Sequence, residues 1–112
     1  MTRFEAGDVV RVLFPHVERN VRAPRPALVL TREPVGPGGL LIWVVMITNA
    51  RRKPWPGDVA IEDHEAAGLP VPSVIRTAKI ATLEAASATR IGRLSGDQIV
   101  AVREHVSRYL AR

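Results

Sequence analysis

The chain has 112 residues, of which 46% are hydrophobic and 24% charged, with no cysteine and a formal net charge of +5. That length and apolar share fit one domain with one core and exclude a fully disordered chain. The lack of cysteine excludes disulfides, thiolate zinc sites and cysteine nucleophiles, and fits a reducing compartment. Lys53 and Lys79 are the only lysines, so arginine carries most of the positive charge. Arginine presents a rigid fork of donors that matches phosphate. An RNA or DNA partner is one reading of this balance, and solubility in an arginine-rich proteome is the other. The N-terminal MTRFEAGD is charged, unlike a signal peptide, and the longest apolar run, 38–48, is too short to span a bilayer. The expected location is cytoplasmic.

Gly7-Asp8 reads as a turn, and Val9 to Phe14 as a first strand stopped by Pro15. Residues 15–24 form a polar, basic loop between prolines. Pro26 opens a second strand, where a missing N–H is tolerated. A Pro/Gly turn over 32–39 makes 26–31 and 40–48 an antiparallel pair. Residues 50–57, ARRKPWPG, form a second basic loop. Short strands are expected over 58–61 and 90–94, and a longer one over 74–83. An acidic turn ends at Gly68. Ser95-Gly-Asp-Gln98 has the form of a capping box, and Ile99, Val102, Val106 and Leu110 recur at helical spacing. Five to seven short strands and one terminal helix suggest a small, strongly bent sheet or barrel.

Two polar groups stand where apolar strands meet loops. Arg25 lies just before Pro26-Ala-Leu-Val-Leu30, and Thr48 closes Val44-Val45-Met46-Ile47. If these strands are neighbours, an always-charged guanidinium and a hydroxyl converge at one sheet edge and can hold a phosphate without a metal. The plainer readings are a surface ion pair for Arg25 and a strand-end hydroxyl on the backbone for Thr48.

In order along the chain, Gly7-Asp8-Val9-Val10, Phe14-Pro15, Arg25-Pro26-Ala-Leu-Val-Leu30, Ile47-Thr48, Gly68-Leu69-Pro-Val-Pro-Ser73-Val-Ile-Arg76, Lys79-Ile80-Ala-Thr-Leu83 and Arg93-Leu94-Ser95 resemble the PemK/MazF family of type II toxins. The resemblance covers nearly the whole chain, 1–112. It implies a mainly β fold with a C-terminal helix, an SH3-like barrel of the kind shared with the CcdB toxins. It also implies a homodimer, a metal-independent endoribonuclease acting on single-stranded RNA (mRNA) with no cofactor, and a small antitoxin that blocks the RNA groove. The family's active arginine and threonine fall on Arg25 and Thr48. Two positions depart from the pattern. Asn49 stands where a small hydroxyl residue is common, and a Gly/Ser-rich first loop is replaced by His16 to Pro24. These departures bear on cleavage preference, and they motivate the alternative of a non-catalytic RNA- or antitoxin-binding module. The gyrase poison of this fold uses a Trp-containing tail, whereas this sequence ends Tyr109-Leu-Ala-Arg112.

For the chemistry, Arg25 would grip the non-bridging phosphate oxygens and Thr48 donate to the same phosphate. His16, with a reference pKa near 6.5, and Glu18 are competing candidates for the base. Both also read as solvated loop residues. Arg51-Arg52-Lys53-Pro54-Trp55 interleaves cations with an aromatic, as loops that neutralise phosphates and stack a base do; equally, Trp55 can tuck onto the fold. Arg22, Asn49, Ser73 and Arg76 are further candidates for the groove, Ser73 reading also as the end of a connector. Trp43 is expected in the core or a dimer interface. Glu62-Asp63-His64-Glu65 lacks regular metal-ligand spacing, and His105 is expected outward on the last helix.

Overall fold

The computed structural model describes residues 3–12 and 24–111. Six strands are present: β1 (Asp8–Val12), β2 (Arg25–Val29), β3 (Leu41–Asn49), β4 (Asp58–Ala60), β5 (Ser73–Glu84) and β6 (Ala88–Arg93). One helix follows, α1 (Gly96–Tyr109). All pairings are antiparallel, in the order β4-β5-β3-β2-β1-β6. The mainly β class with a terminal helix is therefore as expected, but the closed SH3-like barrel is not. Among the described residues β4 pairs only with β5 and β6 only with β1, so the sheet is open.

The strongest bend lies in β5. Val45 faces Ile80, but the next residue, Met46, faces Arg76. Thr77, Ala78 and Lys79 thus fall out of the ladder, and a strand carrying unpaired residues turns and twists more sharply. Thr77 is fully buried at this corner; its hydroxyl donates to the Gly57 carbonyl at 2.7 Å and lies 2.9 Å from the Tyr109 hydroxyl. The corner is thereby fastened to the end of α1.

Both faces of the sheet are covered, which is why Val44 to Ile47 reads as an unbroken apolar run rather than an alternation. Val10, Val12, Ala27, Val29, Val44 and Met46 pack on one face with Phe4 and Leu83. Val9, Leu28, Val45, Ile47 and Ile75 pack on the other, beneath Val102 of α1 and Ile61, Ala67 and Leu69 of the β4–β5 connection.

Helix α1 starts at Ser95, whose Oγ accepts from the Gln98 N–H at 3.4 Å. The return half of the expected capping box is not made. Gln98 is buried, its Oε1 accepting from the Glu62 N–H at 3.0 Å and its Nε2 donating to the Ala60 carbonyl at 2.6 Å. An amide tying two backbone groups of a neighbouring loop satisfies otherwise orphaned donors and acceptors better than a solvated cap does. The acidic stretch forms one turn, closed by Leu69 N–H to the His64 carbonyl, and does not extend into a helix. No helix among the described residues is long and apolar enough to cross a membrane.

The turn before Leu69 crosses β6 at backbone contact. A Cβ on Gly92 would run into the Ala67 carbonyl. Gly92→Ala is expected to lower stability by about 1–3 kcal/mol through overpacking against main chain that cannot rotate away. Urea denaturation followed by circular dichroism measures it, with Gly96→Ala, at a site where no atom lies within 4 Å, as the tolerated control.

Candidate nucleic-acid site

The β2–β3 ladder ends at Ala27 and Met46, and Arg25 and Thr48 each lie two residues beyond that end. Ala27 faces Met46, Leu28 faces Val45 and Val29 faces Val44. Continued two residues past this last pair, the same register would set Arg25 across from Thr48. Directly opposed residues of an antiparallel pair project from one face with Cβ atoms about 5 Å apart. On their outer sides Arg25 faces Val12 of β1 and Thr48 faces Val74 of β5. Extended in this way, one row across the sheet would read Val12, Arg25, Thr48, Val74. Arg25 is exposed and Thr48 half-buried. A mobile guanidinium beside a more fixed hydroxyl can seat a phosphate: the fork takes two oxygens and the hydroxyl donates to a third.

The loop after Thr48 begins with a local turn. Asn49 Oδ1 accepts from the Arg51 N–H at 2.8 Å, and the Asn49 carbonyl accepts from the Arg52 N–H at 3.0 Å. Asn49 thus shapes the entry to the basic loop, as an Asx turn does. Arg51, Arg52 and Lys53 are exposed beyond it. Ser73 is buried, and its hydroxyl donates to the Val71 carbonyl at 2.8 Å. That is the bond of a connector end.

Arg76, a groove candidate in the sequence, is only 8% exposed. Its Nε and Nη2 donate to Asp58 Oδ1 and Oδ2 at 3.2 and 3.0 Å, and Nη2 also donates to the Lys53 carbonyl at 2.9 Å. Its guanidinium carbon lies 4.4 Å from the centre of the Trp55 ring. Burial by itself would raise the Asp58 pKa. The hydrogen bonds from Arg76 and from the Trp55 N–H, with the Arg76 charge, outweigh it and hold the carboxyl below its ordinary value. Asp58 was not among the sequence candidates. The signal available was the turn Trp55-Pro-Gly-Asp58, in which an aspartate side chain accepts the backbone N–H three residues earlier.

A second buried carboxylate, Asp8, binds Arg93 at 2.9 Å and Arg90 at 3.2 Å, and accepts from the Glu5 N–H at 2.8 Å. The Gly7-Asp8 pair of the sequence is thus a structural knot joining β1 to β6. Trp43 is 48% exposed and so is not part of the core. His64 and His105 are half-buried. Among the described residues no group of three His, Asp or Glu side chains is placed to hold a metal ion. The candidates His16, Glu18 and Arg22 lie outside the described residues. A cavity of about 420 Å³ bounded by Arg32, Arg93 and Arg103 shares no residue with the Arg25–Thr48 row.

The Asp58–Arg76 pair has a measurable pH signature. A carboxyl with a depressed folded-state pKa contributes stability that is complete above the unfolded-state value and is lost as pH falls through the folded-state value. Thermal melts taken from pH 6 down to pH 2 are expected to show this loss, and Asp58→Asn to flatten that part of the profile. Arg76→Met, which leaves Asp58 without its partner, is expected to cost about 1–3 kcal/mol at neutral pH.

Residues 5–110 match the model of the PemK-like, MazF-like toxins of type II toxin–antitoxin systems. No curated protein matches the chain significantly. Solved structures do. MazF in the Form-II MazE–MazF crystal structure from Deinococcus radiodurans is 24% identical with a TM-score of 0.70, over 96% of this chain and 94% of that one. The Mycobacterium tuberculosis toxin MazF-mt6 is 25% identical with a TM-score of 0.69, over 90% and 93%. An endoribonuclease in complex with its cognate antitoxin, from a mycobacterial species, is 16% identical with a TM-score of 0.72, over 95% and 93%. The first and third of these likenesses show a common fold. The family match spans almost the entire sequence, and the chain belongs to the PemK-like, MazF-like toxin family of type II toxin–antitoxin systems.

Proposed function

We propose that this chain is the endoribonuclease toxin of such a system, cutting single-stranded RNA through Arg25 and Thr48 without a metal. The observation that supports the reading is the β2–β3 register, whose continuation past Ala27 and Met46 leads to Arg25 and Thr48 at the same end of the two strands. In the reaction the ribose 2′-OH attacks the adjacent phosphorus. The O2′–P bond forms, the P–O5′ bond breaks, and the products are a 2′,3′-cyclic phosphate and a free 5′-OH. Arg25 binds the non-bridging oxygens as negative charge grows on them, and Thr48 donates to the same phosphate. Arginine stays protonated at neutral pH, so Arg25 stabilises charge and does not deliver the proton. His16 or Glu18 takes the proton from the 2′-OH, and the departing O5′ takes a proton from solvent water to give the 5′-OH.

Arg51, Arg52 and Lys53 extend positive charge from Asn49 along the strand's path, with Arg22 in the preceding basic loop. Each phosphate that they neutralise adds about 0.7 to the slope of log affinity against log salt. The neighbours solved as MazE–MazF complexes support a cognate antitoxin as protein partner. Exposed apolar side chains on the sheet, Trp43 and Ile80, supply contact area for a homodimer. An RNA substrate of this kind places the protein in the cytoplasm.

Purified protein is expected to cut single-stranded RNA in EDTA and to spare a substrate whose 2′-OH at the cut site is replaced by hydrogen. Arg25→Ala and Thr48→Ala are each expected to lower the cleavage rate by on the order of 100-fold or more, with unchanged circular dichroism and melting. Full cutting by both variants would remove the site. Saturable RNA binding by the wild type with no product would identify a binding module in place of an enzyme.

A further inference from the structure

Trp55 belongs to neither hydrophobic cluster, yet it is held on several sides. Its backbone N–H donates to Asp58 Oδ2 at 3.0 Å, and its carbonyl accepts from the Asp58 N–H at 3.2 Å. Pro54 and Pro56 restrict the chain to either side. The Arg76 guanidinium lies against the indole, 4.4 Å from the ring centre. Arg76 is 8% exposed and Trp55 is 42% exposed. The cation therefore backs the ring from inside, and the accessible indole surface is the opposite face and its edge.

The donors that hold Arg76 in place face inward. Nε and Nη2 are spent on Asp58 and on the Lys53 carbonyl, and the Asp58 charge opposes its own. An arginine committed in this way is a poor phosphate ligand and a good support. Its place relative to the row of Arg25 and Thr48 follows from the ladder. Thr48 faces Val74, and Arg76 lies two residues on, projecting from the same face. Such diagonal neighbours are about 7–8 Å apart. The ring rests on Arg76, one diagonal step along the ladder from Thr48, and exposed Arg51, Arg52 and Lys53 precede it in the same loop. A rigid aromatic face among free cations matches the recognition chemistry of single-stranded nucleic acid, in which the cations follow the backbone and the ring takes a base.

We infer that Trp55 is the stacking platform for one unpaired base next to the scissile phosphate, and that Arg76 and Asp58 are positioning residues that hold the ring in place. The inference rests on the RNA-cleaving reading above and deepens it. A ring already fixed before binding has little rotamer freedom left to lose when a base stacks on it. The guanidinium behind the ring fixes its tilt, so the platform is specified by an ion pair that never touches RNA.

The test uses the full chain carrying Trp43→Phe, which leaves Trp55 as the sole fluorophore of its kind. The probe is a mixed-sequence single strand with 2′-fluoro riboses throughout, which cannot be cut by internal attack. A second strand of equal length and charge has abasic positions. Saturable quenching of Trp55 by the first strand, several-fold weaker with the abasic one, is expected. In cleavage assays Trp55→Ala is expected to raise KM roughly 5- to 150-fold with kcat changed far less, while Trp55→Phe retains most of the affinity. Arg76→Lys keeps the charge but loses the planar contact. It is expected to shift Trp55 emission and to lose part of the discrimination against abasic strands. Equal quenching by the two strands, or an unchanged KM in Trp55→Ala, overturns the platform. If Arg25→Ala still abolishes cleavage in that case, the ribonuclease reading stands alone. If base-dependent quenching is found in a wild-type protein that cuts nothing, the platform stands and the ribonuclease reading falls.

Discussion

The pairing of β2 with β3 is the constraint on which the rest of this molecule depends. Its register is fixed from both sides. Ala27, Val29, Val44 and Met46 enter one core cluster while Leu28, Val45 and Ile47 enter the other. A slip of one residue would exchange the two sets, placing side chains chosen for one core into the other. The bond from Leu30 N–H to the Trp43 carbonyl continues the lock past the strand end. Because the apolar middle of these strands cannot slide, the polar residues at their far ends cannot either. Hydrophobic packing several residues away thus limits how far Arg25 and Thr48 can shift relative to each other.

The arginines divide into two populations by what they face. Arg76 is held by Asp58 and packs on Trp55, and Arg90 and Arg93 converge on the buried Asp8. These pairs bring distant parts of the chain together: β4 to β5, and β1 to β6. Leaving either carboxylate buried without a cation would be costly, which makes these contacts specific even where their net contribution to stability is small. Arg25, Arg51 and Arg52 are exposed instead. Arg3, Arg11, Arg32, Lys79, Arg103 and Arg108 are exposed as well, so the free positive charge is spread over the surface, with Arg51, Arg52 and Lys53 forming one run of it after β3.

The sheet is open because its edge strands β4 and β6 do not pair with each other, and β5 is bent within it. Three unpaired residues at Thr77–Lys79 turn the strand, and buried Thr77 closes that corner against the Gly57 carbonyl and the Tyr109 hydroxyl. The alternation of Val74 to Lys79 reads in sequence as one regular strand, because nothing in side-chain type marks which residues a partner strand will skip. The same limit applies to Gln98. Three residues after Ser95 it has the spacing of a reciprocal cap, yet it bonds to Ala60 and Glu62, which are 38 and 36 positions away. Local spacing announces which bonds are available, and the neighbour that arrives in three dimensions decides which are made.

The strands, the terminal helix and the Ser95 start were all legible along the chain, because they depend on patterns a few residues long: apolar runs, proline and glycine breaks, and a capping residue. Those features belong to the sequence by itself, since periodicity and local backbone preference act before any distant contact forms. Tertiary structure alone decided that the sheet stays open, that Trp43 is exposed, and that Arg76 turns inward to Asp58 and supports Trp55. Each of these turns on which surfaces meet across 18 or more residues of intervening chain. A guanidinium has the same charge and donors wherever it stands, and only the packing around it determines whether it meets a carboxylate or solvent.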